Sequence, residues 1–284
     1  MADGGKWLVY VVPLMVEFMS VPFTTFLMDT KPASDGGKRV GAVERTFRII
    51  DLLRGSGTMR INEVAVKLDM PTSTAHVHLK TLEALGYVVK CSEGFRLSLR
   101  LLRDGSAVRN DRDVYTVAKP EIVDLADATD EVANLGIEEG GERVILYQAE
   151  GSEAVYDNAL IGEFTNMHWT ALGKAILAEL PDDEVEDIVG QHGLPSATSE
   201  TIDNPEALST ELSVIRGDGY ALEDEERRTG IRSIAVPIVV EEDVVGSVSL
   251  SGPKERFNDE RIETDLLPEL KDCANVVELK VAYD

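Results

Sequence analysis

The stretch from Ile61 to Gly86 constrains the fold most tightly. Ile61, Val64, Ala65 and Leu68 recur at i, i+3, i+4 and i+7, one face of a short amphipathic helix. Asp69-Met70-Pro71 then turns the chain. Thr72 and Ser73 can cap a following helix, with Pro71 fixing its entry, and Gly86 stops it just after Leu85. Two short helices joined by so tight a turn make a helix-turn-helix. Upstream, Ala42 to Leu53 carries Val43, Phe47 and Ile50 at helical spacing, and Gly55-Ser56-Gly57 breaks the chain after it.

The second helix of the pair has two unlike sides. Ala75, Leu79 and Leu82 point one way, with Leu85 at the edge, and Ser73, His76, Val77 and Lys80 point the other. A small, polar, weakly cationic flank is what a recognition helix lays against base edges in the major groove. Tyr87 to Lys90 and Phe95 to Leu99 flank Cys91-Ser92-Glu93-Gly94, which reads as a hairpin, a wing directly after the helix. Lys90 and Arg96 on that wing suit phosphate contacts, which position without specifying. His78 lies near the apolar stripe and reads as a packing residue, and a His76–His78 metal pair would diverge on a helix. The plainer alternative for this segment is a small helical domain that contacts protein.

Charge supports the nucleic-acid reading against first appearance. The 284 residues carry 52 Asp/Glu and 28 Lys/Arg, a formal charge of −24, which on its face excludes a partner built of phosphates. Yet Lys38 to Asp104 holds 12 Lys/Arg against 7 Asp/Glu, a net of +5, and residues 105–284 hold 14 against 41, a net of −27. Basic and acidic segments imply separate tasks. An acidic, lysine-poor chain (11 Lys, 17 Arg) suits concentrated salt, where screening removes carboxylate repulsion, although ordinary acidic proteins share the trait. Two cysteines exclude a disulfide scaffold.

Residues 1–37 form an apolar extension and linker. Trp7 to Met28 is long enough to cross a bilayer, but Glu17, Pro13 and Pro22 argue against it, and only Lys6 offers a basic start for a signal peptide. A true start at Met28 fits better than a membrane anchor, so a cytoplasmic chain is expected.

Several stretches resemble the IclR family of transcriptional regulators. They are Val43 to Leu53, Met70 to Ala75 with Leu79, Leu82 and Leu85-Gly86-Tyr87, Met167 to Ala175, Asp224 to Pro237, and Val248 to Pro253. The resemblance runs from about Lys38 to the C-terminus. It implies an α+β chain, an N-terminal winged helix-turn-helix joined by a helix to a GAF-like α/β domain with an antiparallel sheet. The domains expected are 38–104 for DNA, 105–115 as connecting helix, and 116–284 as effector-binding domain. The DNA-facing residues are then Arg39, Arg45, Arg60, Thr72, Ser73, Thr74, His76, Val77, Lys80, Lys90 and Arg96. The family often has an aromatic-Arg pair where His76-Val77 stands, so Ser73, His76 or Lys80 must supply the base contact.

In the acidic part, Val114 to Thr129 reads as a helix with Val117, Glu121, Leu125 and Ala128 on one side, preceded by a polar helix from Arg100 to Arg112. Extended runs follow at Val132–Glu138, Arg143–Ala149 and Ala154–Ala159, with Gly140-Gly141 as a hairpin turn. Helices are expected at Thr170–Leu180, Glu184–Val189 and Glu206–Arg216, strands at Tyr220–Glu223, Ser233–Val240 and Val244–Ser251, and a closing helix at Arg261–Val281. Adjacent strands with grouped helices indicate an α+β domain on an antiparallel sheet. The resemblance implies a pocket holding a small organic acid. Its residues carried over are Ala171 and Leu172, whose amides open a helix, and Glu223, Asp224, Ile231, Ser233, Ser249 and Ser251. Ser249 and Ser251 alternate with Val248 and Leu250, so they share a side of one strand. His168 reads as a cap for the Thr170 helix, or as a ligand contact. Ser233 stands where many members have Cys.

No Gly-x-Ser-x-Gly, Gly-x-x-x-x-Gly-Lys or His-Glu-x-x-His motif is present, so no enzyme, cofactor or metal is expected. The acidic runs at Asp182, Glu223 and Glu241 read as solvated faces, and His192 as a solvated loop residue. The resulting expectation is a regulator that binds a double-stranded operator as a homodimer or tetramer under control of a small molecule. The alternative is a metabolite-binding signalling module whose winged domain contacts protein.

Overall fold

The computed structural model describes residues 39–155 and 159–283. The expectations for residues 1–37 fall outside that range. The chain divides into two compact units, one ending at Ser98 and one starting at Leu99.

In the first unit, α1 (Gly41–Ser56), α2 (Ile61–Lys67) and α3 (Thr72–Ala84) precede the hairpin of β1 (Val88–Cys91) and β2 (Gly94–Leu97). Ala75, Leu79 and Leu82 of α3 join Val64 of α2, Ile49 of α1 and Phe95 of β2 in the core. The stripe expected on α1 is rotated. Val43 and Phe47 are 52% and 61% exposed, and Ile49 and Leu53 go inside instead. The sequence Phe47-Arg48-Ile49-Ile50-Asp51-Leu52-Leu53 offers two overlapping stripes, and the one nearer the hairpin is buried. Thr72 and Ser73 do not cap α3; the N-cap is Pro71, with no side-chain hydrogen bond. Cys91 belongs to β1, leaving Ser92 and Glu93 as the turn. Gly94 (φ +150°) lies against the Met59 backbone, where a Cβ would come within 2.3 Å of the carbonyl oxygen. Met59 and Phe95 exchange two backbone hydrogen bonds of 2.8 and 2.9 Å there.

The second unit opens with α4 (Arg100–Asn110), which buries none of its residues and spans the boundary expected at residue 104. α5 (Asp113–Thr129) follows; Val117 and Leu125 of the expected side are buried, Ala128 is exposed, and the buried face widens to take in Ala118, Ile122 and Ala126. The sheet is built of β3 (Val132–Glu139), β4 (Glu142–Glu150), β5 (Phe164–Asn166), β6 (Ala221–Asp224), β7 (Ile231–Val240) and β8 (Asp243–Pro253). Its order is β5-β4-β3-β8-β7-β6, antiparallel at every pairing. Gly140 and Gly141, at φ +67° and +83°, close the β3–β4 hairpin, where both turn positions need a left-handed backbone. The strand expected at 154–159 does not form among its described residues, and β5 pairs with β4 further along.

Helices cover both faces. α5 and α10 (Leu267–Tyr283) pack on one, over Leu135, Val248 and Leu250. α6 (Ala171–Glu179) and α8 (Pro205–Asp218) bury Ala175, Ile176, Leu208 and Leu212 on the other, beside Ala221 and Ala235. α7 (Asp182–His192) carries Asp182, Asp183 and Glu184 in its first turn, where carboxylates suit the helix dipole. The closing helix is continuous from α9 (Asp259–Arg261) through a π turn (Ile262–Leu266) into α10. Among the described residues no helix is long and apolar enough to cross a membrane.

Candidate DNA-reading helix and effector face

On α3 the polar flank stands outward. Ser73, His76, Val77 and Lys80 are exposed, Val77 by 62%. Thr72 is exposed as well, and Thr74 is half-buried. Lys80 Nζ sits 2.7 Å from Glu83 Oε2, so part of its charge is already met within the helix. His78 is half-buried, and its Nδ1 lies 2.8 Å from Thr46 Oγ1 of α1, a packing role. On the wing, Arg96 pairs with Val89 and Lys90 with Phe95, so the two cations leave the hairpin from opposite faces. Arg45 is exposed on α1, and Arg39 lies 4.0 Å from Glu44. Arg60 is the N-cap of α2, and its backbone N–H donates to Glu63 Oε2 at 2.6 Å.

In the second unit, alternation puts Asn134, Ser249, Ser251, Ser233 and Glu223 on the sheet face opposite Leu135, Val248 and Leu250. Register aligns them: Asn134 opposes Ser249, Ser251 opposes Ser233, and Ser233 opposes Glu223. With Gln148 opposite Asn134 on β4, they form one polar stripe over five strands. All but Gln148 are buried. Gln148 Nε2 donates to Asn134 Oδ1 at 2.9 Å, and Asn134 Nδ2 donates to Ser249 and Ser251 at 3.4 and 3.5 Å. At the other end Ser233 Oγ donates to Glu223 Oε2 at 2.6 Å. Burial pushes the Glu223 carboxyl upward, opposed by Ser233 and Arg227. Half-buried Ile231 alternates onto the same face as Ser233.

α6 starts over this face. Thr170 Oγ1 accepts from the Gly173 amide at 3.0 Å, so Thr170, not His168, is the cap. Ser247 Oγ donates to the Leu172 carbonyl at 3.0 Å, which seats the first turn on β8. Ala171 and Leu172 are buried there, and their amides, in the first turn, have no acceptor inside the helix. His168 donates from Nε2 to the Pro195 carbonyl at 3.1 Å, and burial lowers its pKa. His192 is no solvated loop residue. It ends α7, half-buried, and donates to the Gly140 carbonyl at 2.8 Å.

The acidic run at Glu223 is not a solvated face. Glu223 and Glu226 are buried, whereas Asp224 turns the other way and lies 2.7 Å from Lys254, near Arg232. Asp224 thereby leaves the polar stripe. Glu226 belongs to a cluster invisible in the local sequence. Lys174 of α6 is fully buried, with Nζ 2.6 Å from Glu226 and 2.8 Å from Glu211 of α8. Burial raises the Glu226 carboxyl to about 7 against the pull of Lys174, and Glu223 and Glu211 add to the rise. Two carboxylates on one ammonium leave surplus negative charge in a dry place. Asn134 and Gln148 were not singled out in the sequence, and Lys174 figured only within the Met167–Ala175 stretch, with no role assigned. The signal was a polar residue inside an apolar run, as in Val132-Ala133-Asn134-Leu135 and Ala171-Leu172-Gly173-Lys174-Ala175-Ile176. Among the described residues no cluster of His, Cys, Asp and Glu could hold a metal ion.

A winged helix-turn-helix followed by a sheet domain with a buried polar face defines a DNA-binding regulator with a separate effector domain. The family description "IclR helix-turn-helix domain" matches residues 42–91, and "Bacterial transcriptional regulator IclR C-terminal" matches 106–279. The chain is 31% identical to a Halobacterium salinarum protein named "Probable HTH-type transcriptional regulator ArcR", over 89% of this chain and 99% of that one. It is 34% identical to the HTH-type transcriptional regulator BhcR of Paracoccus denitrificans, over 81% and 83%. The crystal structure of Thermotoga maritima IclR superposes with a TM-score of 0.75 at 30% identity, covering 86% of this chain and all of that one. The chain belongs to the IclR family of transcriptional regulators.

Proposed function

We propose that this regulator reads a symmetric operator as a homodimer or tetramer in the cytoplasm, and that a small organic acid, sugar-derived acids included, sets its affinity. The observation that carries the reading is the polar stripe from half-buried Gln148 to buried Glu223, on the same sheet face on which Ser247 seats the first turn of α6. An apolar sheet would be cheaper to bury, because each enclosed hydroxyl or amide needs a hydrogen-bond partner. Ser249, Ser251 and the Ala171 and Leu172 amides offer donors to a carboxylate, as a helix start favours. Ser73, His76, Val77 and Lys80 of α3 read bases, while Arg39, Arg45, Arg60, Lys90 and Arg96 meet phosphates. The effector shifts operator affinity only by preferring one arrangement of the assembled chains over another.

Two measurements test this. Footprinting with genomic fragments is expected to protect discrete palindromic sites. A winged unit that protects none and instead retains a protein partner would overturn the DNA reading. A thermal-shift screen with sugar acids, keto acids and aromatic acids is expected to raise the melting temperature of the wild type. In the double variant Ser249→Ala, Ser251→Ala that shift is expected to vanish; an unchanged shift would remove the sheet face as the site.

A further inference from the structure

Hydrogen bonding across the polar stripe has a direction, and the direction is set from β4. Gln148 Nε2 donates to Asn134 Oδ1 at 2.9 Å, which turns the oxygen of the Asn134 amide toward β4 and its NH2 toward β8. That NH2 is shared between Ser249 Oγ at 3.4 Å and Ser251 Oγ at 3.5 Å. Each buried serine oxygen therefore faces a donor on the Asn134 side, and its own proton is turned away from β3. The opposite end of the stripe has the reverse polarity. Ser233 Oγ donates into Glu223 Oε2 at 2.6 Å and the Arg227 amide into Oε1 at 3.3 Å, so what remains there is the acceptor capacity of a carboxyl group. One end presents hydroxyl protons and the other presents oxygen lone pairs.

We propose that Asn134, held by Gln148, is a positioning residue that fixes Ser249 and Ser251 as donors, so that the effector is a hydroxycarboxylate lying with its carboxylate over β8 and a hydroxyl toward Glu223. This rests on the reading of the sheet face as the effector site. Reversing the amide would turn the serine protons onto Asn134 and leave only lone pairs for a ligand, which repel a carboxylate. Nothing in the pairing requires Asn134 to touch the ligand; it acts through the two serines.

The test uses the full chain and matched acid and alcohol probes on one carbon skeleton: glycolate with ethylene glycol, glycerate with glycerol, and gluconate with glucitol. Calorimetric affinities give an acid-to-alcohol preference for each pair. Wild type is expected to bind at least one acid and to prefer it. Gln148→Glu presents only acceptors, which turns Asn134 around, and its preference for the acid is expected to fall on the order of tenfold, as for two hydroxyl donors lost. Gln148→Met removes the orienting donor without adding charge, and a smaller fall, about threefold, is expected. Gln148 is half-buried, so both side chains can be accommodated, and unliganded melting curves check that the variants fold. A wild type that binds none of the acids, or prefers the alcohols, overturns the proposal. So does a variant that loses acid and alcohol equally, or a fall with Glu but not with Met, which would be charge repulsion alone. If Ser249→Ala with Ser251→Ala abolishes acid binding while both Gln148 variants keep the wild-type preference, the effector site stands and the positioning role is gone. If the double serine variant binds the acid normally, the site reading itself has failed.

Discussion

In the first unit Ser73, His76, Val77 and Lys80 stand on the outer flank of α3, and among the described residues up to Ser98 no polar or charged side chain is buried. In the second unit Asn134, Ser233, Ser249, Ser251, Glu223, Lys174 and Glu226 lie inside, between sheet and helices. The first unit thus separates what it presents from what holds it together, and Val77 can change without disturbing Leu79 two residues on. On the reading proposed above, the second uses the same interior for both, so altering ligand preference there would also alter the core. A DNA-reading surface can drift quickly, whereas an effector face changes only with compensation around it.

Four substitutions break or sharpen that contrast. Gly173→Ala is expected to act most strongly. Its Cβ would come within 2.2 Å of the Met167 carbonyl, a backbone clash at the start of α6, costing about 4 kcal/mol or preventing the second unit from folding. A urea melt followed by probes in both units should show only the second transition moved; loss of both would join the units into one cooperative block. Leu79→Ala, at a fully buried site, is expected to cost the first unit about 3 kcal/mol in the same melt. A cost under 1 kcal/mol would mean that the core of that unit collapses around the gap.

Glu226 makes the interior of the second unit sensitive to pH. Burial pushes its carboxyl from the ordinary 4.5 up to about 7 in the folded chain. Between those values the folded chain holds a proton that the unfolded chain has released, so stability falls as pH rises through that window and stays low above it. The slope is expected to total about 2–3 kcal/mol, and Glu226→Gln should flatten it. Burial of His168 lowers its pKa and works in the opposite direction, so the difference between variant and wild-type melting curves isolates Glu226. Parallel curves would show that Lys174 keeps Glu226 ionised throughout.

Val77→Ala is the mildest. Stability should hardly move, because the side chain is 62% exposed. Operator affinity in molar salt is expected to weaken by about 1 kcal/mol, the scale of an apolar contact with a thymine methyl. At that ionic strength the Debye length is about 3 Å and counterion release contributes little, so direct contacts must carry binding. An unchanged affinity at high salt would remove Val77 from the reading face.

Much of the first unit was legible because its helices are short and local. Ile61, Val64, Ala65 and Leu68 on one side of the turn, and Ala75, Leu79 and Leu82 on the other, give both helices and their inward sides. The face of α1 was misread because Val43, Phe47 and Ile50 compete with Ile49 and Leu53, and only contact with α3 and the hairpin decides between them. In the second unit five of the six strands, the Gly140-Gly141 turn and the alternation of Ser249 and Ser251 were readable, whereas β5 was missed and a strand at 154–159 was expected in its place. The long-range pairings were not: Lys174 meets Glu211 and Glu226, 37 and 52 positions away, and Asn134 meets Ser249 across 115. No local pattern encodes such pairs. Asp224 was grouped with Glu223 because neighbours on a strand look alike in sequence while facing opposite ways.

The clasp between Met59 and Phe95, with Gly94 wedged beneath it, has a bearing on which promoters this unit can occupy. It fastens the hairpin to the residue just before Arg60 and α2, so on the proposed reading the wing would meet a double helix together with the helix-turn-helix and not swing free of it. Any misfit is then left to the nucleic acid, and runs of bases that flex easily should be favoured even where no side chain touches them.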